Sequence, residues 1–186
     1  MEFRRTRFPE VLLIDLKPRC DERGSFARIF CAEEFSRHGL CSHWVQQSVS
    51  RNPGIGTLRG LHFQKPPHAE IKYVRCSRGE IFDVVIDTRP DSSTYGEWQG
   101  FTLSESNHQG LYIPEGFAHG FITLAANSEV SYCMSEPYVP GHSVGFVWND
   151  PNINISWPIL PKVISHRDQS LPLLNDLNAS IVSSTN

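Results

Sequence analysis

A fixed cation and a titratable ring lie three residues apart in the segment 57–64, Thr-Leu-Arg-Gly-Leu-His-Phe-Gln. The guanidinium of Arg59 is suited to holding a phosphate, and the imidazole of His62 can take or give a proton near neutral pH. In a regular strand, residues three apart face opposite sides. Both can serve one pocket if Gly60 forms a bulge, which glycine inside a strand often marks, or if Arg59 lies at the rim.

Three more residues with acid–base or charged side chains lie on other predicted strands: Lys72, His119 and Tyr132. Tyr132 alternates with Val130 and Met134, so these three side chains share one face of a strand. If that face lines the interior of a barrel, the tyrosine hydroxyl points into a pocket. Lys72 could point inward in the same way.

Each of these residues also has a plainer interpretation. A strand histidine or tyrosine is more often packed or hydrogen-bonded than catalytic, and a strand lysine is usually solvated. Asp83 and Asp87 are polar positions on an alternating strand, or partners of an inward arginine or lysine. Composition and spacing alone therefore predict a soluble β-barrel with a polar pocket, without naming its ligand.

From residue 57 onward, short runs of β-forming residues alternate with Gly- and Pro-rich breaks. This spacing is typical of a sandwich or barrel rather than of a parallel α/β sheet. Eight or more strands in one domain favour a jelly-roll double sheet, with a pocket in its mouth. The predicted strands lie near 57–64, 71–76, 79–87, 97–103, 110–114, 119–124, 128–134 and 144–148.

The residues before position 57 and after position 148 show less regular secondary-structure patterns. Gly and Pro positions divide the first part of the chain into short pieces, and the last residues are rich in Ser and Asn, which predicts fraying at about 178–186. The predicted elements are strands at 11–16 and 25–30, a turn at 20–24, a helix at 32–38, an extended segment at 45–50 and a short helix within 166–177.

Length and composition predict one globular domain over 1–186. The 186 residues are 39% hydrophobic and 20% charged, and the net charge of −3 argues against a nucleic-acid partner. Five cysteines without a Cys-x-x-Cys pair fit a reducing compartment. No apolar run is long enough for a signal peptide or a membrane span. We therefore expect a cytoplasmic protein without a membrane partner.

Five segments resemble the dTDP-4-dehydrorhamnose 3,5-epimerase family. They occur in the family's order, and the likeness extends from about residue 12 to about residue 172. Several long motifs in order are more specific than one short pattern. The segments are 57–64, Lys72-Tyr73-Val74-Arg75, 79–87 (Gly-Glu-Ile-Phe-Asp-Val-Val-Ile-Asp), 113–121 (Ile-Pro-Glu-Gly-Phe-Ala-His-Gly-Phe) and Trp148-Asn149-Asp150-Pro151.

The resemblance implies a fold, an assembly and a reaction. Family members are all-β, cupin-like jelly-roll barrels with a few short helices, work as homodimers and use no metal or other cofactor. They invert carbons next to the C4 ketone of a nucleotide-linked 4-keto-6-deoxyhexose. Removing a proton alpha to a ketone and returning one to the opposite face requires a base, an acid and a donor at the enolate oxygen.

By resemblance, four residues form the catalytic set. His62 is the base, and Asp168 is the carboxylate that orients it and supports the imidazolium. Lys72 stabilises the enolate oxygen. Tyr132 is the acid that delivers a proton from the other face of the sugar.

The resemblance also assigns a larger set of residues to substrate binding. Arg59 and Arg23 would hold the pyrophosphate, with Arg23 reaching across from a partner subunit. His119 would contact the sugar, and the ring of Tyr138 can stack on the base. The full expected set is Arg23, Phe26, Arg28, Gln46, Ser48, Arg59, His119, Tyr138, Ser143 and Arg167.

Four of the binding positions depart from the residues that are usual in the family. Glutamate is usual where this chain has Arg28 and Ser143, asparagine where it has Ser48, and lysine where it has Arg167. Replacing a carboxylate with an arginine reverses a charge in a site for a charged ligand. We therefore expect the reaction class to be kept, while the nucleotide (dTDP or CDP) and the sugar stay open.

A metal site is a competing hypothesis for the histidines. Cupin-type barrels often bind a metal through a His-x-His pair, a glutamate and a later histidine. Residues 114–119, Pro-x-Gly-x-x-His, match the second half of this pattern, but Phe63-Gln64 follows His62 where x-His would be needed. His62 and His119 are one or two ligands short of a usual transition-metal site. We therefore expect no metal.

Two other functions stay open beside an epimerase acting at C5, C3 or both. One is a 3,4-ketoisomerase on a similar nucleotide sugar, and the other is a cupin-like sugar-binding module without catalysis. The presence of both Lys72 and Tyr132 favours epimerisation. A binding module would have no need of a full catalytic set.

Overall fold

Two large β-sheets account for most of the regular structure of residues 1–177, the part of the chain that the computed structural model describes. The strands are β1 Glu2–Arg5, β2 Leu12–Asp15, β3 Arg19–Asp21, β4 Gly24–Phe26, β5 Gln46–Asn52, β6 Thr57–Gln64, β7 Lys72–Arg78, β8 Glu80–Asp87, β9 Trp98–Ser104, β10 Gln109–Ile113, β11 Phe117–Thr123, β12 Ser128–Met134, β13 Ser143–Gly145 and β14 Val163–Ile164. The helices α1 and α2 span Ala32–Arg37 and His166–Gln169.

The two sheets face each other across an apolar core. The first has the spatial order β1-β2-β10-β7-β12-β5, and the second has the order β13-β6-β11-β8-β9 with β14 paired in parallel to β6. Val74 and Val130 of the first sheet pack with Val85 and Phe121 of the second. Alternation along these strands buries one apolar face per sheet. The expected all-β, cupin-like jelly-roll barrel with a few short helices is confirmed.

The outer faces of the sheets are covered by segments with little regular structure. Phe35 of α1 packs on Tyr73 and Tyr112 of the first sheet. Phe146 and Leu174 of the C-terminal segment pack on the second. Within residues 1–177, no helix is long and apolar enough to cross a membrane. The C-terminal segment therefore runs back over the sheet that carries His62.

The eight strands predicted between residues 57 and 148 are all present, with bounds that differ by a few residues. The helix expected at 32–38 is present as α1, and the extended segment expected at 45–50 is present as β5. In the region expected to hold a helix within 166–177, α2 is followed by a break and then by helical residues 174–177. The expected fraying of 178–186 lies outside the described residues.

Two expectations in the N-terminal part of the chain were wrong, and two short strands were not predicted. The strand expected at 25–30 is only β4, which pairs with β3 in a fully exposed hairpin, so the turn is shorter than the expected 20–24. Sequence patterns missed β1, which is mostly exposed and has no apolar alternation. They also missed β14, because two residues are too few to show a period.

Gly60 forms the bulge that one of the two sequence-based hypotheses required. His119 of β11 lies opposite His62, and Phe121 lies opposite Arg59, so β6 has one more residue than β11 between these pairs. The extra residue brings Arg59 and His62 to the same cleft. At Gly60 φ is +126°, and a Cβ there would lie 2.6 Å from the Cα of Gly120. Only glycine fits this position without strain.

We expect Gly60→Ala to lose more folding stability than Gly24→Ala. Gly24 has a similar φ of +121°, but a Cβ there would meet nothing within 4 Å. The control therefore carries only backbone strain of about 1–3 kcal/mol, while Gly60→Ala adds about 1–3 kcal/mol of overpacking. Denaturant titration measures both free energies of unfolding. Equal losses would contradict the close approach of β6 and β11.

Candidate active site

A cleft of about 730 Å³ opens between the two sheets at one end of the barrel. Both sheets contribute polar side chains to it, and apolar side chains such as Leu58, Phe121 and Met134 complete its lining. Eleven of the predicted site residues line it: Gln46, Ser48, Arg59, His62, Lys72, His119, Tyr132, Tyr138, Ser143, Arg167 and Asp168. The barrel therefore brings together residues that are up to 122 positions apart in the sequence (168 − 46).

His62 and Asp168 form a hydrogen-bonded pair in this cleft. The distance between His62 Nε2 and Asp168 Oδ1 is 2.8 Å, and the two side chains are 29% and 6% exposed. Pairing of β14 with the start of β6 carries the chain back beside the bulge. The hydroxyl of Ser165 then caps α2 by accepting from the backbone N–H of Asp168 at 3.0 Å.

The electrostatics of this pair suit an ionised carboxylate. Burial opposes ionisation of Asp168, but the hydrogen bond and charge of His62, with the N–H of Gly60, outweigh it and lower the carboxyl pKa. With Asp168 ionised, His62 carries its proton on Nε2. Its Nδ1 is then the nitrogen that can accept a proton.

Lys72 and Tyr132 come from the opposite sheet. Adjacent pairing of β7 and β12 sets them on one face, and Tyr132 also packs against the core. The Lys72 ammonium donates to the carbonyl of His62 at 3.4 Å. Burial raises the pKa of the Tyr132 hydroxyl, so this group stays protonated at neutral pH.

His119 has a carboxylate partner that sequence reasoning did not assign to it. His119 Nε2 lies 2.8 Å from Asp83 Oδ2, and both side chains are almost fully buried. Burial raises the pKa of Asp83, while the charge and hydrogen bond of His119 act against this. The His119 and Tyr132 rings meet edge-to-face at 6.1 Å. A partnership with an inward arginine or lysine was one of the two interpretations of Asp83, and its hydrogen bond goes to a histidine instead.

Asp87 is the second acidic position on β8, and it does pair with an arginine. Arg89 Nη2 lies 2.7 Å from Asp87 Oδ2. Burial acts against ionisation of Asp87, but hydrogen bonds from Arg89, Ser92 and Thr94 outweigh it and lower the pKa to about 2. This cluster does not line the cleft.

Two cleft arginines have neutral partners. Arg59 Nε donates to Asn52 Oδ1 at 2.8 Å. Arg167 Nη2 donates to the carbonyl and hydroxyl oxygens of Ser143 at 3.1 and 3.3 Å. These contacts fix the guanidinium groups without neutralising them, so both retain a full charge for an anion.

The cleft rim carries an exposed aromatic ring. Tyr138 is 54% exposed, and its backbone N–H donates to Gln46 Oε1 at 3.1 Å. Gln46 also approaches the hydroxyl of Ser48 at 3.5 Å. A flat ring beside amide and hydroxyl groups is suited to stacking and hydrogen bonding with a heterocyclic base.

Three predicted binding residues lie away from the cleft of their own chain. Arg23 pairs with Asp21 on the exposed hairpin at 2.5 Å. Arg28 pairs with Glu34 at 2.9 Å, and Phe26 is 77% exposed. Phe26 and Arg28 line a separate groove beside the N-terminus. The fold of one chain therefore does not bring these three residues to the site.

Sequence reasoning missed two residues that touch predicted ones, the buried Asn52 behind the cleft lining and Glu70 in the cleft itself. Asn52 holds Arg59, and Glu70 lies 2.9 Å from the Lys72 ammonium. Glu70 precedes Lys72 by two positions, a spacing that sets both on one side of an extended chain and could have been noticed. Within residues 1–177, no group of three or more His, Cys, Asp or Glu side chains is placed to hold a metal ion.

The double-sheet barrel with an acid–base cleft at its mouth has the form of a cupin-like enzyme. The family model for dTDP-4-dehydrorhamnose 3,5-epimerase matches residues 5–176, and the chain belongs to this family of isomerases. A dTDP-4-dehydrorhamnose 3,5-epimerase of Sinorhizobium fredii is 42% identical over 181 residues, which cover 97% of this chain and 93% of the relative.

Solved structures of similar epimerases have the same fold as this chain. The dTDP-4-dehydrorhamnose 3,5-epimerase of Bacillus anthracis with TDP and pyrophosphate bound is 38% identical, with a TM-score of 0.90 over 92% of this chain and 98% of that one. The dTDP-6-deoxy-D-glucose-3,5-epimerase of Legionella pneumophila in complex with dTDP-4-keto-L-rhamnose is 36% identical, with a TM-score of 0.91 over 97% and 96%.

Proposed function

We propose that this protein epimerises a dTDP-linked 4-keto-6-deoxyhexose at C5 and C3. The observation that carries the proposal is the hydrogen-bonded His62–Asp168 pair on one wall of the cleft, opposite Lys72 and Tyr132 on the other. The names of the relatives, which are 3,5-epimerases at about 40% identity, support the two carbons and the nucleotide. The reaction belongs to deoxysugar and rhamnose biosynthesis.

Proton removal is the step that we assign to His62. Its Nδ1 takes the proton alpha to the C4 ketone, and the electrons of the C–H bond form the enolate. The imidazolium that results is stabilised by the ionised Asp168. The short contact of 2.8 Å supports this assignment.

Enolate stabilisation and reprotonation are assigned to the opposite wall. The Lys72 ammonium donates to the enolate oxygen, where negative charge develops. Tyr132 then delivers its proton to the other face of the carbon, so that the configuration is inverted. Burial keeps the Tyr132 hydroxyl protonated and supports its role as the acid.

The nucleotide end is assigned to the rim. Arg59 holds the diphosphate, since its charge is not neutralised by its partner Asn52. Tyr138 stacks on the base beside Gln46 and Ser48, while His119 contacts the sugar in the interior. We assign three of the four departures from the family, Ser48, Ser143 and Arg167, to this end, where Arg167 donates to Ser143.

We expect the wild-type protein to incorporate deuterium at C5 and C3 of dTDP-4-keto-6-deoxyglucose in heavy water, as followed by NMR. His62→Asn should reduce this exchange by about 10²–10⁴-fold, the usual contribution of a general base. His43→Asn, at an exposed position outside the cleft, is the matched control and should retain the wild-type rate.

The same NMR spectra distinguish the proposed epimerase from the alternative functions. Deuterium at one carbon alone would indicate a single-site epimerase, and a ketone that moves from C4 to C3 would indicate a ketoisomerase. Binding without exchange, with dTDP-linked and CDP-linked substrates alike, would indicate a sugar-binding module and contradict the proposal.

We also propose that the protein is a homodimer in which the β3–β4 hairpin completes the partner's site. Arg23 and Phe26 lie on this hairpin, which is fully exposed within one chain. A hairpin with an exposed phenylalanine and arginine is suited to burial against a second copy. Arg23 would then add a second cation to the diphosphate site that Arg59 begins.

A mixing experiment tests this shared site. Arg23→Ala and His62→Asn should each be nearly inactive, whereas unfolding and refolding them together should restore about a quarter of wild-type activity, because half of the dimers are mixed and each has one intact site. Arg59→Ala mixed with His62→Asn is the control and should restore nothing, since both residues act in one chain. No recovery in the first mixture would contradict the shared site.

The compartment that we propose is the cytoplasm. Cys20, Cys31, Cys41, Cys76 and Cys133 are all free thiols. Five unpaired cysteines fit a reducing environment. Mass spectrometry of thiol labelling in intact cells would report disulfides if the protein resided in an oxidising compartment.

A further inference from the structure

Glu70 is an acidic side chain inside the cleft whose role is not explained by the reaction steps. Its Oε1 lies 2.9 Å from the Lys72 ammonium, and the two side chains are only 11% and 12% exposed. Both residues line the cleft together with His62 and Tyr132. The contact is therefore a nearly buried ion pair within the cleft rather than a surface salt bridge.

The hydrogen-bond donors of Lys72 can be counted. An ammonium group has three N–H donors and no acceptor. Among the described residues, one donor goes to Glu70 at 2.9 Å and one to the carbonyl of His62 at 3.4 Å. These two hydrogen bonds leave one N–H of the Lys72 ammonium group. Because the nitrogen is tetrahedral, fixing the directions of two N–H bonds also fixes the direction of the third.

The restraint by Glu70 matters because a second carboxylate, that of Asp83, competes for the Lys72 ammonium. Asp83 is fully buried, and its Oδ1 has no hydrogen-bond partner. Lys72 already exerts an electrostatic pull on Asp83. Without Glu70, the flexible lysine side chain would be free to turn toward this oxygen, since a buried carboxylate oxygen without a donor is unfavourable.

We infer that Glu70 is a positioning residue that holds the Lys72 ammonium so that its remaining N–H points at the enolate oxygen. The inference rests on the proposed epimerase function, because it assumes that Lys72 acts on the enolate. Glu70 itself does not touch the reacting atoms. Its contribution is to fix a donor before the charge develops, as catalytic preorganisation requires.

Three substitutions separate position from charge. Glu70→Gln keeps an acceptor oxygen in the same place but removes the charge. Glu70→Asp keeps the charge but withdraws the oxygen by one methylene. Glu70→Leu removes both. If the position of the acceptor oxygen matters, Glu70→Gln should lower kcat least, Glu70→Asp more and Glu70→Leu most. We expect a decrease of about 3-fold for Glu70→Gln and about 10–100-fold for Glu70→Leu, because misplacement of a catalytic group by about 1 Å can cost about 10²-fold.

The division between kcat and KM distinguishes positioning from substrate contact. Because Lys72 acts on the enolate rather than on the ground state, KM should stay within about 2-fold of the wild-type value in all three variants. Glu97→Leu, which removes a surface partner of Arg7 outside the cleft, is the control and should leave both constants unchanged. Thermal unfolding of each variant verifies that it is folded.

Several results would overturn the inference. Wild-type kcat in Glu70→Leu, a higher KM with unchanged kcat, or an Asp variant that is more active than the Gln variant would each exclude a positioning role. If the Glu70→Leu variant does not fold, the relative kcat values of the Glu70→Gln and Glu70→Asp variants still test the inference. A wild-type protein that does not exchange deuterium at all would instead contradict the proposed function.

Discussion

The hydrogen bond between His62 and Asp168 is the contact on which the rest of the site depends. It joins residues 106 positions apart, and two features of the fold make it possible. The bulge at Gly60 turns His62 into the cleft, and the short parallel pairing of β14 with β6 returns the chain so that Asp168 lies behind the ring. The bulge in turn depends on the close approach of Gly60 and Gly120, which leaves no room for a side chain.

The distribution of charge divides the cleft into two regions. In the interior, His62, Lys72 and His119 each lie against a carboxylate, those of Asp168, Glu70 and Asp83 respectively, so that the charge of Lys72 is offset by Glu70. At the rim, Arg59 and Arg167 are held by neutral groups and keep their charge. A neutral keto sugar fits the first region, and a diphosphate fits the second. We therefore propose that a nucleotide sugar binds with its sugar inward and its diphosphate at the rim.

Strong local patterns made most of the barrel predictable. The strands from 57 to 148 follow from alternation and from Gly and Pro breaks, and the inward direction of Tyr132 follows from its alternation with Val130 and Met134. The role of Asp168 came only from family resemblance, because no local pattern joins a residue of a four-residue helix to a strand far earlier in the chain. The hairpin with Arg23 was misjudged in length, since it lacks a core face that would impose a period.

The central claim is that base and acid act from opposite walls of the cleft, and Tyr132→Phe tests it most directly. Phenylalanine keeps the ring but has no proton to deliver. In heavy water, the account predicts that His62 still exchanges the proton within about 10-fold of the wild-type rate, while inversion falls by about 10²-fold or more, so that deuterium enters with retained configuration. Inversion at the wild-type rate, or loss of exchange together with inversion, would contradict the account.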